Sequence, residues 1–331
     1  MNWGYIFEFA ITQALGPTAV VYALAAIGLN IHFGYTGLLN FGQAGFMAVG
    51  AYGTAASVVT FGIPLWAGLL VGLLATVVLA LILGVPTLRL RADYLAIATI
   101  ASAEILRRIF QSVTFSDTFG GSTGLSGFAR DFYALNPYTD TVSLGFISFR
   151  NTTAWVLTVG WGLVLLSCLI VWAATKSPWG RVLKSIREDE DAVRSLGKNV
   201  YWYKMQALIL GGLFGGLGGI VLILTQSAAV PTDFATNTTF FAWACLLLGG
   251  AARVWGPVVG AIIFWFLLNF LGELFSQMTR GADPILPTWL MTETQASLIR
   301  FIILGLGLML LMIFRPQGIF GDRRELAIDA R

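Results

Sequence analysis

The sequence predicts an all-α, polytopic membrane protein with about 8–9 membrane segments, some of them broken or half-length helices. Three observations predict it: 57% of the 331 residues are apolar, only 11% are charged, and the mean hydropathy is +0.79. A soluble domain carries roughly 45–50% apolar and about 25% charged residues. A soluble chain of this size could not cover so much apolar surface with so few charges. An ordinary cytosolic enzyme, a disordered chain and a soluble nucleic-acid binder are excluded on that ground. The net charge of +3 gives no case for nucleic acid either.

A bilayer-crossing helix needs about 20 mostly apolar residues. The runs 10–31, 65–87, 152–175, 205–227, 256–276 and 297–314 come close to or meet that length. Three others, 38–60, 93–111 and 240–251, are interrupted or short. Glycine and polar residues break the first, Glu104, Arg107 and Arg108 load the second, and the third is half a membrane deep. Such segments are tolerated where protein or a watery cavity surrounds them. Arg107 and Arg108 are expected to pair with Glu104 or to reach the outer interface. The start, Met1-Asn2-Trp3-Gly4-Tyr5, has no basic region, so the first apolar run reads as a retained span and not as a cleaved signal.

Basic residues favour the cytoplasmic side. They gather at Lys176, Arg181, Lys184, Arg187, Arg194, Lys198 and Lys204, at Arg89 and Arg91, and in the tail at Arg315, Arg323, Arg324 and Arg331. Placing these stretches and Arg253 inside puts 14 of the 20 basic residues in the cytoplasm. It also makes the C-terminus cytoplasmic, the N-terminus external, and 112–151 an external segment of a single transmembrane domain, 1–331.

Close packing through small residues matters between helices in lipid. Gly211, Gly215 and Gly219 repeat every four residues, Gly212 and Gly216 form a second row, and Gly256 with Gly260 and Ala44 with Ala48 repeat the spacing. Packing within the chain is the expected use, with a subunit interface as the alternative. Cys168 and Cys245 lie in apolar runs and read as buried small hydrophobes. The single histidine, His32, cannot build a His-rich metal site. Gly197-Lys198 is followed by Asn199, and Ala192 stands where a P-loop would need its first glycine, so no Walker A motif is present.

The stretch 176–204 carries the most information. Ser177-Pro178 reads as an N-cap followed by proline at the first helical position. Val182, Leu183 and Ile186 share one helical edge, with Arg181, Lys184 and Arg187 on the remaining surface. The acidic run Glu188-Asp189-Glu190-Asp191 then caps a second short helix that Gly197 ends as C′ residue. Two short amphipathic helices would form a compact knob, and an apolar stripe of this kind commonly docks into a partner groove.

These residues resemble a known family. Ser177-Pro178-Trp179-Gly180-Arg181-Val182-Leu183-Lys184-Ser185-Ile186-Arg187-Glu188-Asp189-Glu190, continuing to Leu196-Gly197, resembles the ATPase-contacting loop of branched-chain amino acid ABC-importer permeases. The run from Gly34 to Met47, ending Gly50-Ala51-Tyr52, resembles that family's N-terminal signature. So do Leu88–Ile97, the later Glu104, Leu248-Gly249-Gly250, Gly256-Pro257, and Phe314–Gly321. The Leu88–Ile97 motif and the long external segment are similar to the larger, M-type subunit. Ala92 departs from a usual glycine and Asn40 from a common serine, and Asn40 leaves urea and short-chain amides open as substrates.

The resemblance implies a multi-pass protein of a prokaryotic plasma (inner) membrane. Its partners would be an H-type permease subunit, two cytoplasmic ATPases that bind ATP and Mg, and an extracytoplasmic substrate-binding protein. This chain would hold no cofactor or metal of its own and would not be an enzyme. The expected coupling residues are Trp179, Gly180, Arg181, Lys184, Ile186, Arg187, Glu188, Asp189, Glu190, Leu196 and Gly197. Polar or irregular backbone at membrane depth marks a candidate substrate path at Asn40, Phe41, Gly42, Gln43, Gly249 and Gly250, although Asn40 and Gln43 would serve equally as helix-end caps. An ion-coupled secondary transporter is the alternative class, and the acids Glu8, Asp93, Glu104 and Glu273, mostly near span ends, argue against proton coupling. A membrane enzyme would have one histidine and no paired intramembrane carboxylates to work with.

Overall fold

The computed structural model describes residues 2–89, 92–144, 147–279 and 292–321. Leu90 and Arg91 of the basic motif, and Arg323, Arg324 and Arg331 of the tail, lie outside the described residues. The chain opens with α1 (Trp3–Ala14) and α2 (Pro17–Leu29), which continues as a π-helical segment, Asn30–Tyr35. Then come α3 (Gln43–Val59), α4 (Leu65–Thr87) and α5 (Ala92–Gln111). The short elements α6 (Ser116–Phe119), β1 (Leu125–Ser126), α7 (Arg130–Ala134), β2 (Val142–Leu144) and β3 (Ile147–Phe149) follow. The second half holds α8 (Asn151–Lys176), α9 (Pro178–Glu188), α10 (Glu190–Ser195), α11 (Val200–Gln226), β4 (Ala228–Ala229), α12 (Thr236–Gly249), α13 (Gly256–Thr279) and α14 (Glu293–Phe314).

Among the described residues, six helical stretches are long and apolar enough to cross a bilayer: Pro17–Tyr35, Leu65–Thr87, Asn151–Lys176, Val200–Gln226, Gly256–Thr279 and Thr294–Phe314. That is fewer than the 8–9 segments expected. The other three expected segments are helices packed among the six. At 17 and 14 residues, α3 and α12 are short, and α5 carries Asp93, Glu104, Arg107 and Arg108. The expected first span, 10–31, is corrected too. Gly16 is extended and caps α2, and Pro17 takes the first helical position, where its missing N–H costs nothing. The residues before it form the separate helix α1, which packs on α13.

Burial grades the spans from centre to rim. The Pro17–Tyr35 stretch is 89% buried and α11 72%, whereas the outermost, Thr294–Phe314, is only 6% buried. The central pair packs against each other and against α3, and α4 packs on both α3 and α11. Apolar burial does not drive helices together in lipid, so these contacts depend on close approach. The two glycine rows of α11 all face other elements of this chain, which is the intramolecular use. A Cβ on Gly219 would run into the Met47 carbonyl oxygen, and one on Gly50 would lie 2.7 Å from the Gly216 Cα. Both cysteines are buried and free.

One pole of the bundle carries a cap that the all-α expectation did not include. There β1 pairs antiparallel with β4, Leu125 opposite Ala229, and β2 pairs with β3. Tyr52, at the centre of the cap contact, stacks on Phe110 at 4.3 Å and donates from its hydroxyl to the Ala229 carbonyl at 3.0 Å. Tyr133 donates to the Leu224 carbonyl at 2.7 Å. Burial raises the Tyr133 hydroxyl and the half-buried Asp233 carboxyl above their ordinary ranges.

Gly219→Val is expected to lower the unfolding midpoint of the detergent-purified chain sharply, by about 3 kcal/mol or more of stability. Gly307→Val, where a Cβ meets nothing within 4 Å, is expected to leave it unchanged. A thermal melt followed by size-exclusion chromatography checks both.

Candidate functional site

The site begins where the central span stops being an α-helix. The π-helical segment Asn30–Tyr35 turns polar groups inward at membrane depth, and a π turn of this kind often sits at a functional site. Asn30 bridges to the corner between α12 and α13: its amide donates to the Arg253 carbonyl at 2.8 Å, and its Oδ1 accepts from the Ala252 N–H at 2.8 Å. That grip holds Ala252 at φ +60, a conformation non-glycine residues rarely adopt.

After Thr36 the backbone is neither helix nor strand until Gln43, with Gly37 at φ +74, and side chains from other helices take over several of its hydrogen bonds. Thr99 of α5 accepts from the Phe41 N–H at 3.1 Å, and Thr239 of α12 accepts from the Ala44 N–H at 2.9 Å. Trp243 donates to the Asn40 carbonyl at 3.0 Å, and the Gly42 N–H donates to Asn40 Oδ1 at 2.8 Å.

Asn40 is the hub. Its Nδ2 donates to His32 Nδ1 at 3.0 Å and to Gln43 Oε1 at 3.1 Å. His32 Nε2 lies 3.1 Å from the Leu208 carbonyl, which can only accept, so Nε2 carries the proton and Nδ1 is the acceptor. Gln43 Nε2 donates to the carbonyls of Ala25 and Gly211, each at 3.2 Å. Asn40, Gln43 and His32 are all fully buried. Every donor and acceptor on the Asn40 and Gln43 side chains has a partner within the chain. Four elements, α2, α3, α11 and the irregular segment between Thr36 and Gln43, meet in this network.

The other candidate path residues fall in two places. Gly42 is buried against Thr99, while Phe41 is half-buried and stacks on Trp243 at 5.0 Å, with the exposed Phe240 at 5.9 Å. Gly249 and Gly250 form the tight corner that starts toward α13. The Ile319 and Phe320 N–H groups return there to donate to the Leu248 and Gly249 carbonyls.

The stretch 176–204 folds as the expected pair of short helices, α9 and α10. Asp189 caps α10, accepting from the N–H groups of Asp191 and Ala192 at 3.0 and 2.9 Å. Gly197, at φ +76, closes α10 by donating to the Arg194 carbonyl. Ser177 occupies the N-cap position of α9, but its hydroxyl donates back to the Ala174 carbonyl, so it does not cap with its side chain.

The apolar stripe turns inward, against the expectation that it faces a partner. Leu183 and Ile186 are buried, and a small apolar crevice places Leu183 and Trp179 beside Ile31, Tyr35 and Leu210. Gly180 is buried against Thr175, and Trp179 donates to Gln206 at 2.7 Å. What α9 and α10 leave outside is mostly polar: Arg181, Glu188, Asp189 and Gly197 are exposed, with Leu196 at 80% exposure the one large apolar side chain among them. Glu190 is held by Arg194 at 2.9 Å and by Lys204.

Two contacts tie this knob to the π segment. Arg187 donates to the Gly34 carbonyl, and the Lys184 ammonium lies 5.9 Å from the Tyr35 ring centre. The expected pairing on α5 also forms: Glu104 accepts from Arg107 at 2.6 Å and from Arg108 at 2.9 Å. Sequence reasoning did not assign Asn30, His32, Thr99, Thr239 or Trp243 to this site. The available signal was Asn30 and His32 standing inside an otherwise apolar span.

A helical bundle with six crossing-length apolar helices among the described residues, a buried polar hub at a broken span and a polar two-helix knob defines a multi-pass membrane protein. The family described as "Branched-chain amino acid transport system / permease component" matches residues 14–313, and the chain belongs to that family. It is 29% identical to the high-affinity branched-chain amino acid transport system permease protein LivM of Salmonella typhimurium, over 92% of this chain and 69% of that one. It is 24% identical to the probable branched-chain amino acid transport permease protein LivM of Methanocaldococcus jannaschii, over 92% and 91%. A guanosine ABC transporter permease protein of Bacillus subtilis, NupQ, is 27% identical over 80% and 84%.

Replacing Asn40 by leucine removes three side-chain hydrogen bonds and leaves His32 Nδ1, Gln43 Oε1 and the Gly42 N–H without partners. A membrane hydrogen bond is worth roughly 0.6 kcal/mol on average, but orphaned groups here have no solvent to turn to. The expected cost is about 2–3 kcal/mol, read as a lower unfolding midpoint with or without substrate.

Proposed function

We propose that this chain is the larger, M-type permease subunit of an ATP-driven importer for branched-chain amino acids (leucine, isoleucine, valine) or related amino acids. Family membership and the LivM relatives support the substrate class. The observation that carries the transport mechanism is the grip of the knob on the broken span, through Arg187 on the Gly34 carbonyl and through Leu183 and Trp179 in the crevice beside Ile31 and Tyr35.

In this reading the knob pole is cytoplasmic, with the C-terminus on that side and the N-terminus outside. The capped pole faces the exterior of a prokaryotic inner membrane, where a substrate-binding protein delivers its load. Two ATPase chains bind Mg-ATP and clasp the exposed rim of the knob, including Arg181, Glu188, Asp189, Leu196 and Gly197. An H-type permease subunit completes the path. ATPase closure displaces the knob, and the packed crevice and the Arg187 hydrogen bond carry that displacement to the π segment. His32 and Asn30 then pass it to α11 and to the corner at Gly250, a rigid-body form of alternating access.

The path residues divide by accessibility. Asn40 and Gln43 hold the frame. Phe41, beside Phe240, offers a surface suited to an aliphatic side chain, Gly42 lets the backbone next to it lie close to Thr99, and Gly249 and Gly250 let the α12 corner close on Gly256 and Gly321. A second substrate reading, a nucleoside, has one specific support, the guanosine permease among the relatives. Urea and short-chain amides, which Asn40 leaves open, complete the set of solutes to be compared.

Two measurements test the proposal. The tagged chain is purified from its native membrane and probed for a copurifying ATPase, and labelled leucine uptake is then competed with isoleucine, valine, guanosine, urea and acetamide. Competition by the aliphatic amino acids alone is expected, and uptake that persists without any ATPase would instead support ion coupling. Arg187→Ala is expected to leave assembly intact and to cut uptake about tenfold or more, since a charge-assisted hydrogen bond is worth about 1.5–3 kcal/mol. Undiminished uptake in that variant would remove the coupling role.

A further inference from the structure

A polar cavity lies at the flank of the knob, and Arg187 is not part of its lining. It measures about 680 Å³ and is walled by the end of α4, by α10 and by the first turn of α11. Its charged lining is Arg89, Arg194, Lys198 and Lys204, against the two carboxylates Glu190 and Asp191. Arg194 and Lys204 are committed to those carboxylates. Arg89 and Lys198 have no carboxylate partner among the described residues. Arg89 lies over the Tyr201 ring, 5.7 Å from its centre, and Lys198 is exposed. The N-terminus of α11, a helix of 27 residues, opens at the same place and adds the positive end of its dipole. The cavity therefore carries an excess of two positive charges with donors available to a ligand.

Its depth is set by the flanking sequence. Arg89 comes two residues after α4 ends at Thr87, and Tyr201 is the second residue of α11, so both lie where apolar spans leave the hydrocarbon. Trp202, half exposed, and the Trp172 ring under the Lys176 ammonium at 4.3 Å are the aromatic and basic anchors expected at a membrane interface. A cationic cavity at that level meets phosphodiester headgroups.

We propose that this cavity binds the phosphate of an anionic lipid from the leaflet on the knob side, with Arg89 and Lys198 as its two donors. Bound there, the headgroup bridges the end of α4 to the connection between α10 and α11, and so steadies the knob at a point separate from the Gly34 contact. The shared chemistry is a phosphate with anionic oxygens, and the apolar spans on either side of the mouth favour a lipid over a soluble phosphate.

The test is native mass spectrometry of the full-length chain, purified with its copurifying partners and delipidated, then titrated with phosphatidylglycerol or phosphatidylcholine. Selective retention of phosphatidylglycerol is expected. A basic residue near an anionic surface contributes roughly a fivefold factor in affinity, so Arg89→Ala with Lys198→Ala should weaken retention about 25-fold. The conservative pair Arg89→Lys and Lys198→Arg should retain it, which separates lost charge from lost structure. Equal retention of the two lipids, or undiminished retention by the double alanine variant, overturns the site. Displacement of the lipid by excess inorganic phosphate reassigns it to a soluble phosphate and overturns the lipid. The measurement involves no transport, so its failure and the failure of the importer reading are independent.

Discussion

The constraint on which this structure depends is that backbone leaving a helix inside a bilayer must find every hydrogen bond within the protein. Between Thr36 and Gln43 the chain does leave its helix, and the missing partners come from four directions. Thr99 answers for Phe41, Thr239 for Ala44, Trp243 for the Asn40 carbonyl, and Asn40 itself for Gly42. Each repair fixes a helix: α5 through Thr99, α12 through Thr239 and Trp243, α2 and α11 through Gln43. A break that would be costly alone becomes the point at which five helices are held in register. The glycine contacts of α11 serve the same end, because only close backbones let Gln43 reach the Ala25 and Gly211 carbonyls together.

The knob obeys a complementary rule. Arg181, Glu188, Asp189, Asp191 and Arg194 stay exposed on α9 and α10, while Leu183, Ile186 and Val193 are buried. The helix pair is therefore part of the transmembrane body and not an appendage on a flexible tether. A force applied to its polar rim acts on the span beneath it with little slack. The contact at Gly34 adds direction, since a guanidinium on a carbonyl fixes one atom of the π segment, whose Asn30 and His32 are tied in turn to the Ala252 corner and to α11.

Hydropathy makes most spans legible, because a long apolar run has few other uses. The caps of α10 are legible too: Asp189 and Gly197 each have a conformational reason to stand where they do. The first run misleads because apolarity continues from Ala10 through Ile31, while the boundary is set by the backbone of Gly16 and Pro17, to which a hydropathy window is blind. The cap strands β1 and β4 are two residues each and joined across more than 100 positions, so no local alternation announces them. The stripe of α9 is visible in sequence, but its direction is not. Periodicity tells which side chains share a face, and only the packing of Leu183 beside Ile31 and Leu210 tells what that face meets. Asn40 and Gln43 stand out as polar residues at depth, whereas His32 reads only as a poor metal ligand, although as the single histidine in a buried span it needs two partners and has them.

Full satisfaction of the hub also limits what the hub can recognise. A zwitterion needs donors for its carboxylate and acceptors for its ammonium, and Asn40 and Gln43 have committed all of theirs to the protein. Opening the network to a passing solute would cost several hydrogen bonds at once in a fully buried site. On the importer reading, the charged ends of the substrate are therefore met elsewhere, on surfaces completed by another subunit, and what this chain offers near the break is the aromatic face of Phe41 and Phe240. An aromatic face grips aliphatic groups with little regard to their exact shape. Such a surface fits leucine, isoleucine and valine alike, and leaves fine discrimination to whatever delivers the substrate.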